Sequence, residues 1–195
     1  MIPDDVVIDA VLHGDVERFA ELVRRYQRAV FKLAYSWIGN RDDAMELTQN
    51  AFVNAYRYLA SFRRGSTFGT WLYRIALNEC KDFYKHAAAR PRTISTDAAS
   101  DADGAGYFEL EDGRADPRRD GANRELARLL HREIDQLPGR QRTAFVLYHL
   151  NGCSIDDTAQ AMACRVGTVK AQLFRACGRL RQRLQRSGVK EGWLS

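Results

Sequence analysis

The chain has no apolar stretch near the roughly 18 residues that a helical membrane span requires. A bilayer-crossing helix is therefore not expected. Its first residues, "MIPDDVVIDAVLHGD", carry acids where a secretory signal needs positive charge ahead of an unbroken apolar run, so a cytoplasmic location is expected. Cysteine is scarce: Cys80, Cys153, Cys164 and Cys177 include no CxxC pair, so no redox motif or zinc ribbon is spelled. His149 shares a 29-residue span with the last three. A buried Cys is ordinarily a small hydrophobe, however, and reduced thiols without metal or other cofactor are the expectation. Catalytic signatures are missing too. There is no nucleophile elbow, P-loop, HExxH or glycine-rich nucleotide fingerprint. The pairs Asp42-Asp43 and Asp156-Asp157 sit at helix starts, where they offset the helix dipole. An enzyme is not expected.

What the chain does have is an uneven charge. The net value is +5, but residues 123–187 hold 12 basic and 5 acidic side chains whereas 89–122 hold 5 and 8. A compact basic segment suits a polyanionic partner, and the acidic one suits a basic partner or a groove that accepts polyanions.

Helical periodicity dominates the first 89 residues. "DVERFAELVRRYQRAVFKLAYSWIG" places Phe19, Leu22, Val23, Tyr26, Val30, Leu33 and Trp37 on one face, with Asp15 as the expected N-cap and Gly39 as the stop. "NRDDAMELTQNAFVNAYRYLASF" repeats through Ala44, Leu47, Ala51, Ala55, Leu59 and Phe62 and turns Asp43, Glu46, Gln49 and Asn50 outward. After "RRGS", either Ser66 or Thr67 can cap a third helix with Phe68, Trp71, Leu72, Ile75 and Phe83 on its core face. With a short helix near Val6–Leu12, these form a small bundle. From Arg90 periodicity fails in a Gly-, Asp- and Ser-rich stretch that reads as a tether, apart from the apolar patch Tyr107, Phe108 and Leu110.

Beyond the tether, "NRELARLLHREIDQL" is helical and Pro138 breaks it. "GRQRTAFVLYHL" then resumes until Asn151-Gly152, and Ser154 caps "IDDTAQAMA" with Asp157 as an acidic counterpart of the capping box. A short turn at about Ala163–Arg165 leads into "VGTVKAQLFRACGRLRQRL". Two helices joined by a tight turn, the second one basic, make the helix-turn-helix pattern. Ile155, Ala159, Met162, Val166, Val169 and Leu173 are expected to close its core. Thr168, Lys170, Gln172, Phe174 and Arg175 then project toward phosphates or base edges in a major groove. Gly167 leaves room for close approach of a helix or a phosphate. In the first half, Phe62, Arg63 and Arg64 lie in or beside a loop where aromatic and basic residues alternate, as single-strand recognition requires. Trp71 and Phe68 read more simply as core.

Five ordered blocks, "GDVERFAELVRRYQ", "DDAMELTQNAFVNAYRYLASF", "STFGTWLYRIALNECKDFYK", "LPGRQRTAFVLYHLNGCSIDDTAQAM" and "VGTVKAQLFRACGRLRQRL", resemble the extracytoplasmic-function (ECF) class of the bacterial sigma-70 family. The resemblance implies an all-α chain of two small helical domains: region 2 at 1–89, a flexible acidic linker at 90–122, region 4 at 123–187 and a tail at 188–195. It implies a promoter-specificity subunit for RNA polymerase core. The clamp helices of the largest subunit would be bound through Asp43, Glu46, Leu47, Gln49 and Phe52. Minus-ten DNA would be read and melted by Phe62, Arg63, Arg64 and Ser66 of the loop and by Asn78, Lys81 and Lys85 of the helix after it. Minus-thirty-five DNA would be read by Thr168, Lys170, Ala171, Gln172, Phe174, Arg175 and Arg179. Region 4 would also meet the polymerase flap, the linker would occupy the channel of the nascent RNA, and an anti-sigma factor would control the whole.

The chain departs from that family's habit at several positions: Ala171 stands for a usual Ser, Gln172 and Cys177 for usual Arg, and Met45 and Asn50 for usual acids. A free-standing helix-turn-helix regulator is the alternative reading.

Overall fold

The computed structural model describes residues 2–89 and 129–187, and every regular element among them is helical. Helix α1 (Asp4–Leu12) buries Val7, Ile8 and Val11. Asp15 does not cap the next helix, as its position suggested. Its carboxylate pairs instead with Arg18, 3.0 Å away, across a 3-10 turn at Val16–Arg18. An i,i+3 partner has drawn the side chain away from the backbone amides it would otherwise accept from. Helix α2 (Phe19–Ile38) ends where Gly39 takes φ +73°, the left-handed conformation of a helix terminus.

Helix α3 (Arg41–Arg57) is capped by Asn40, whose Oδ1 accepts from the amides of Asp42 and Asp43 at 2.9 and 3.1 Å. A 3-10 turn at Leu59–Ser61 and a loop lead to α4 (Phe68–Ala89). Of the two candidate caps, Thr67 takes the role: its Oγ1 accepts from the Thr70 amide at 3.1 Å. Helices α2, α3 and α4 pack mutually, and Asp4 ties α1 to α2 through Tyr26 and Arg25. Gly69 lets α4 approach α2 closely, since a Cβ there would lie 2.8 Å from Cε1 of Tyr26.

The second half comprises α5 (129–135), α6 (Gly139–Phe145) running into a π turn at Val146–Leu150, α7 (Ile155–Ala161) and α8 (Val166–Arg186). Ser154 caps α7 as its sequence suggested: its Oγ accepts from the Asp157 amide at 3.0 Å and donates to Asp157 Oδ2 at 2.6 Å. The linker at 90–122, with Tyr107, Phe108 and Leu110, and the tail at 188–195, with Trp193 and Leu194, lie outside the described residues.

The halves share one core. Leu72, Tyr73 and Leu77 of α4 belong to the same buried cluster as Leu137, Phe145 and Leu147. Three side-chain hydrogen bonds cross the seam. Trp37 Nε1 donates to Thr143 Oγ1 at 2.9 Å, Thr70 Oγ1 to Asp157 Oδ1 at 2.7 Å, and Asn151 Nδ2 to the Ala29 carbonyl at 3.1 Å. Thr143 and Thr70 are almost fully buried, where an unmatched hydroxyl would cost free energy.

Candidate nucleic-acid and polymerase interfaces

Helix α8 has two faces. Val169, Leu173, Ala176, Leu180 and Leu184 are buried, and Val169 and Leu173 join Ala144 and Ala159 in a small core sealed by Ile155, Met162, Cys164 and Val166. That core orients α8 against α7 across the turn at 162–165, in which Ala163 adopts φ +50°. The opposite face carries exposed Lys170, Ala171, Phe174, Arg175 and Arg179, with Thr168 and Gln172 half-buried at its margin. Phe174 is 82% exposed. The ring is held in water by a well-packed helix and packs on none of the core clusters among the described residues. Among the described residues, nothing beyond its chain neighbours and its own stretch of helix backbone lies within 4 Å of a Cβ built at Gly167. The close neighbour that Gly167 leaves room for is therefore not another helix among the described residues.

The loop before α4 is built differently. Phe62 is half-buried and packs on Phe68 and Trp71, with ring centroids 6.0 and 5.2 Å away. Arg63 is exposed and has no ion-pair partner among the described residues. Arg64 is exposed but tied to α1: its guanidinium donates to Asp9 and lies 3.9 Å from Asp5. Ser66 is half-buried, its Oγ 3.3 Å from the Thr67 carbonyl. Further along α4, Asn78, Lys81 and Lys85 are exposed one turn or less apart. Lys81 Nζ donates to Asn78 Oδ1 at 3.3 Å. Lys85 pairs with Asp82 at 2.8 Å and holds that carboxyl below its usual range through the hydrogen bond and the charge. At the start of α4 the second half intervenes, because α7 packs against α4 and Asp157 covers Thr70.

A third surface is the groove between α2 and α3. Glu46 and Gln49 are exposed on its wall, while Phe52 is buried and forms part of its lining. Asp43 is half-buried. Leu47 points the other way, into a core cluster with Phe31, Ala34, Ala44 and Cys80, so its side chain is not available to a partner here. The groove adds Val53 and Tyr56, which the sequence reading passed over, and includes Met45, which that reading noted only as a departure from a usual acid. Val53 and Tyr56 are 47% and 43% exposed and continue the row of Glu46 and Gln49 along α3, and Met45 is 49% exposed beside them. The three- and four-residue spacing was the signal, since it puts 45, 49, 53 and 56 on one side of a helix.

The cysteines are separate free thiols. Burial raises Cys80 to about 12 and Cys153 to about 11, which keeps both protonated. Cys177 Sγ lies 3.7 Å from Nε2 of His149, and burial pushes the thiol up and the imidazole down. Both shifts favour the neutral forms.

Comparison with known proteins identifies the family. The family Sigma-70 region 2 matches residues 22–90, and Sigma-70, region 4 matches 127–180. The chain is 38% identical over 176 residues to the RNA polymerase sigma-H factor of Pseudomonas aeruginosa, covering 89% of each chain. It is 37% identical over 180 residues to the ECF RNA polymerase sigma-E factor of Escherichia coli K12, covering 90% of this chain and 91% of that one. In fold it resembles CnrH in its complex with the cytosolic domain of CnrY, with a TM-score of 0.65 at 24% identity over 93% of this chain and 96% of that one. It also resembles the sigma factor RpoE in its complex with the anti-sigma factor NepR from Bartonella quintana, with a TM-score of 0.62 at 24% identity over 86% and 96%. The chain belongs to the ECF class of the sigma-70 family of RNA polymerase sigma factors.

Proposed function

We propose that this sigma factor directs RNA polymerase core to promoters through three separate surfaces and performs no bond chemistry itself. The observation that carries the reading is the exposed face of α8, where Phe174 stands in water between Lys170 and Arg175 on a helix fixed from behind by a dedicated core. A phenyl ring can pack on a thymine methyl while the flanking cations meet phosphates or guanine. This face reads the minus-thirty-five element. Gln172 and Ala171 offer an amide and a methyl where a cation and a hydroxyl are usual, so the element differs from that of relatives carrying Arg and Ser.

The loop of Phe62, Arg63, Arg64 and Ser66, with Asn78, Lys81 and Lys85, reads the minus-ten element and stabilises its melted strand through binding energy. The α2–α3 groove, with Asp43, Glu46, Gln49 and Phe52, receives the clamp helices of the largest polymerase subunit. Its apolar row suits the apolar face of a partner helix. Region 4 also meets the flap. Residues 1–89 and 123–187 act as two domains joined by the linker at 90–122, and the protein works in the cytoplasm. Two structures of similar fold are complexes, one with the cytosolic domain of CnrY and one with an anti-sigma factor. On that footing an anti-sigma factor controls this protein by occupying the same surfaces. Contact between α7 and the start of α4 must loosen before both promoter elements are engaged, because Asp157 occupies the approach to Thr70.

The test is run-off transcription from a library of linear promoters by core polymerase with and without the protein, at fixed salt because phosphate contacts are salt-sensitive. Dependent transcripts sharing two spaced upstream elements are expected. Duplex binding by the protein alone, with no dependent transcript, would instead establish a free-standing regulator.

A further inference from the structure

Arg64 occupies the left-handed region at φ +55°, which non-glycine residues adopt rarely. Gly65 beside it would bear that conformation without steric cost, yet it does not carry it. Something must hold Arg64 there. Its guanidinium donates to Asp9 and sits 3.9 Å from Asp5, and these two acids lie one turn apart on α1. Two carboxylates at that spacing repel each other until a cation joins them. Helix α1 is itself firmly seated: Val7 and Ile8 are fully buried, Asp4 is bonded to Tyr26 and Arg25, and α1 packs against the 3-10 turn that opens the loop. It lies ahead of residue 22, where the region 2 match begins.

We propose that α1 braces the minus-ten loop. Asp9, assisted by Asp5, holds Arg64 as a positioning residue that sets the loop's path between Phe62 and Thr67, and Arg63 is left as the loop's cation for nucleic acid. The inference rests on the minus-ten reading of this loop given above and revises it at one residue, moving Arg64 from direct DNA contact to positioning. It separates two neighbouring arginines that the sequence presents as equivalent.

The test uses the wild-type holoenzyme to select a promoter fragment from a random library, then compares R63A, R64A, D5N/D9N and the triple variant D5N/R64A/D9N on that fragment across a salt series. R63A should flatten the log–log salt dependence by roughly 0.7 to 0.9, the loss of one phosphate contact. R64A and D5N/D9N should each weaken open-complex formation roughly two- to fivefold, the range for an exposed ion pair, at unchanged slope. The triple variant should be no worse than R64A, because the partners act as one unit. In the free full-length protein, D5N/D9N should also speed amide exchange across residues 62–67 while α2 and α3 stay protected. Tighter DNA binding with a steeper slope in D5N/D9N would overturn the brace, since the acids would then be withholding Arg64 from DNA. Unchanged exchange in the loop would overturn it as well. If the wild type selects no fragment, the minus-ten reading fails, and the exchange measurement alone decides whether the brace exists.

Discussion

The two regions proposed to read DNA are built on opposite plans. The face of α8 is a rigid surface presented outright: its support lies wholly behind it, and nothing among the described residues covers it. The region around the loop and α4 mixes recognition with structure. Phe62 is at once a candidate base contact and part of the Phe68–Trp71 cluster, Arg64 is held by α1, and Thr70 lies under Asp157. Duplex DNA offers its groove edges without being opened, so a fixed face suffices. A melted strand must be caught as its bases unstack, which calls for a shaped pocket of aromatic and polar groups. Substitution should therefore separate affinity from stability in α8 and entangle them around α4.

The largest effect is expected from a pair of glycines. Gly69→Ala places a Cβ 2.8 Å from Tyr26 Cε1 in a junction where α1, α2 and α4 meet. Overpacking of that kind costs about 1–3 kcal/mol and should lower the urea midpoint. Gly167→Ala meets nothing within 4 Å and should stabilise the fold by up to about 1 kcal/mol, the difference in helix propensity, raising the urea midpoint. Equal responses at the two sites would undo the contrast. Phe174→Ala comes next. Promoter capture should fall roughly tenfold, about 1.4 kcal/mol, while the unfolding free energy from urea titration stays within about 0.5 kcal/mol of wild type. Phe62→Ala should move both quantities.

How much of this was legible in the sequence depends on the range of the contact. Helix stripes are local, so Val169, Leu173, Ala176 and Leu180 identify the inner face of α8, and its outer face follows by subtraction. Caps are equally local: Thr67 and Ser154, both offered by the sequence, act within three residues of themselves, whereas Asp15 pairs with Arg18 instead of capping and the cap at Asn40 was not anticipated. Leu47 shows what happens when two local signals conflict. The stripe Ala44–Leu47–Ala51 puts it inside, whereas the resemblance put it toward polymerase, and in the structure it follows the stripe. Contacts between distant segments left no local trace. Nothing near Arg64 announces Asp9, and nothing near Thr70 announces Asp157. The seam between the halves is of the same kind, since Trp37 reads as core without saying that its indole N–H will meet Thr143.

A smaller effect tests that seam directly. Thr70→Val keeps the side chain's shape but removes the hydroxyl donated to Asp157. A net contribution of about 1 kcal/mol for such a bond predicts amide exchange in α7 faster by roughly fivefold, with duplex capture by α8 unchanged. If α7 exchange does not move, the cover over α4 does not depend on this bond.

The smallest expected effect is a pH dependence at the same seam. His131 of α5 is half-buried, and its pKa is lowered, first by burial and then by the charge of Lys32 on α2. The unfolded chain therefore takes up a proton at this site before the native one does. Stability from this group is complete above the ordinary histidine value of 6.5 and is lost as pH falls below it. The urea midpoint should drop between pH 7.5 and 5.5, and His131→Gln should remove the part of that drop due to this ring. Because Lys32 belongs to α2, a proton on His131 sets two cations against each other across the halves. Acid should therefore act on the seam before it acts on either helical core, and amide exchange at pH 5.5 should quicken in α5 and α7 ahead of α2 and α3. The reverse order would place the proton's effect inside one half and leave the seam insensitive to it.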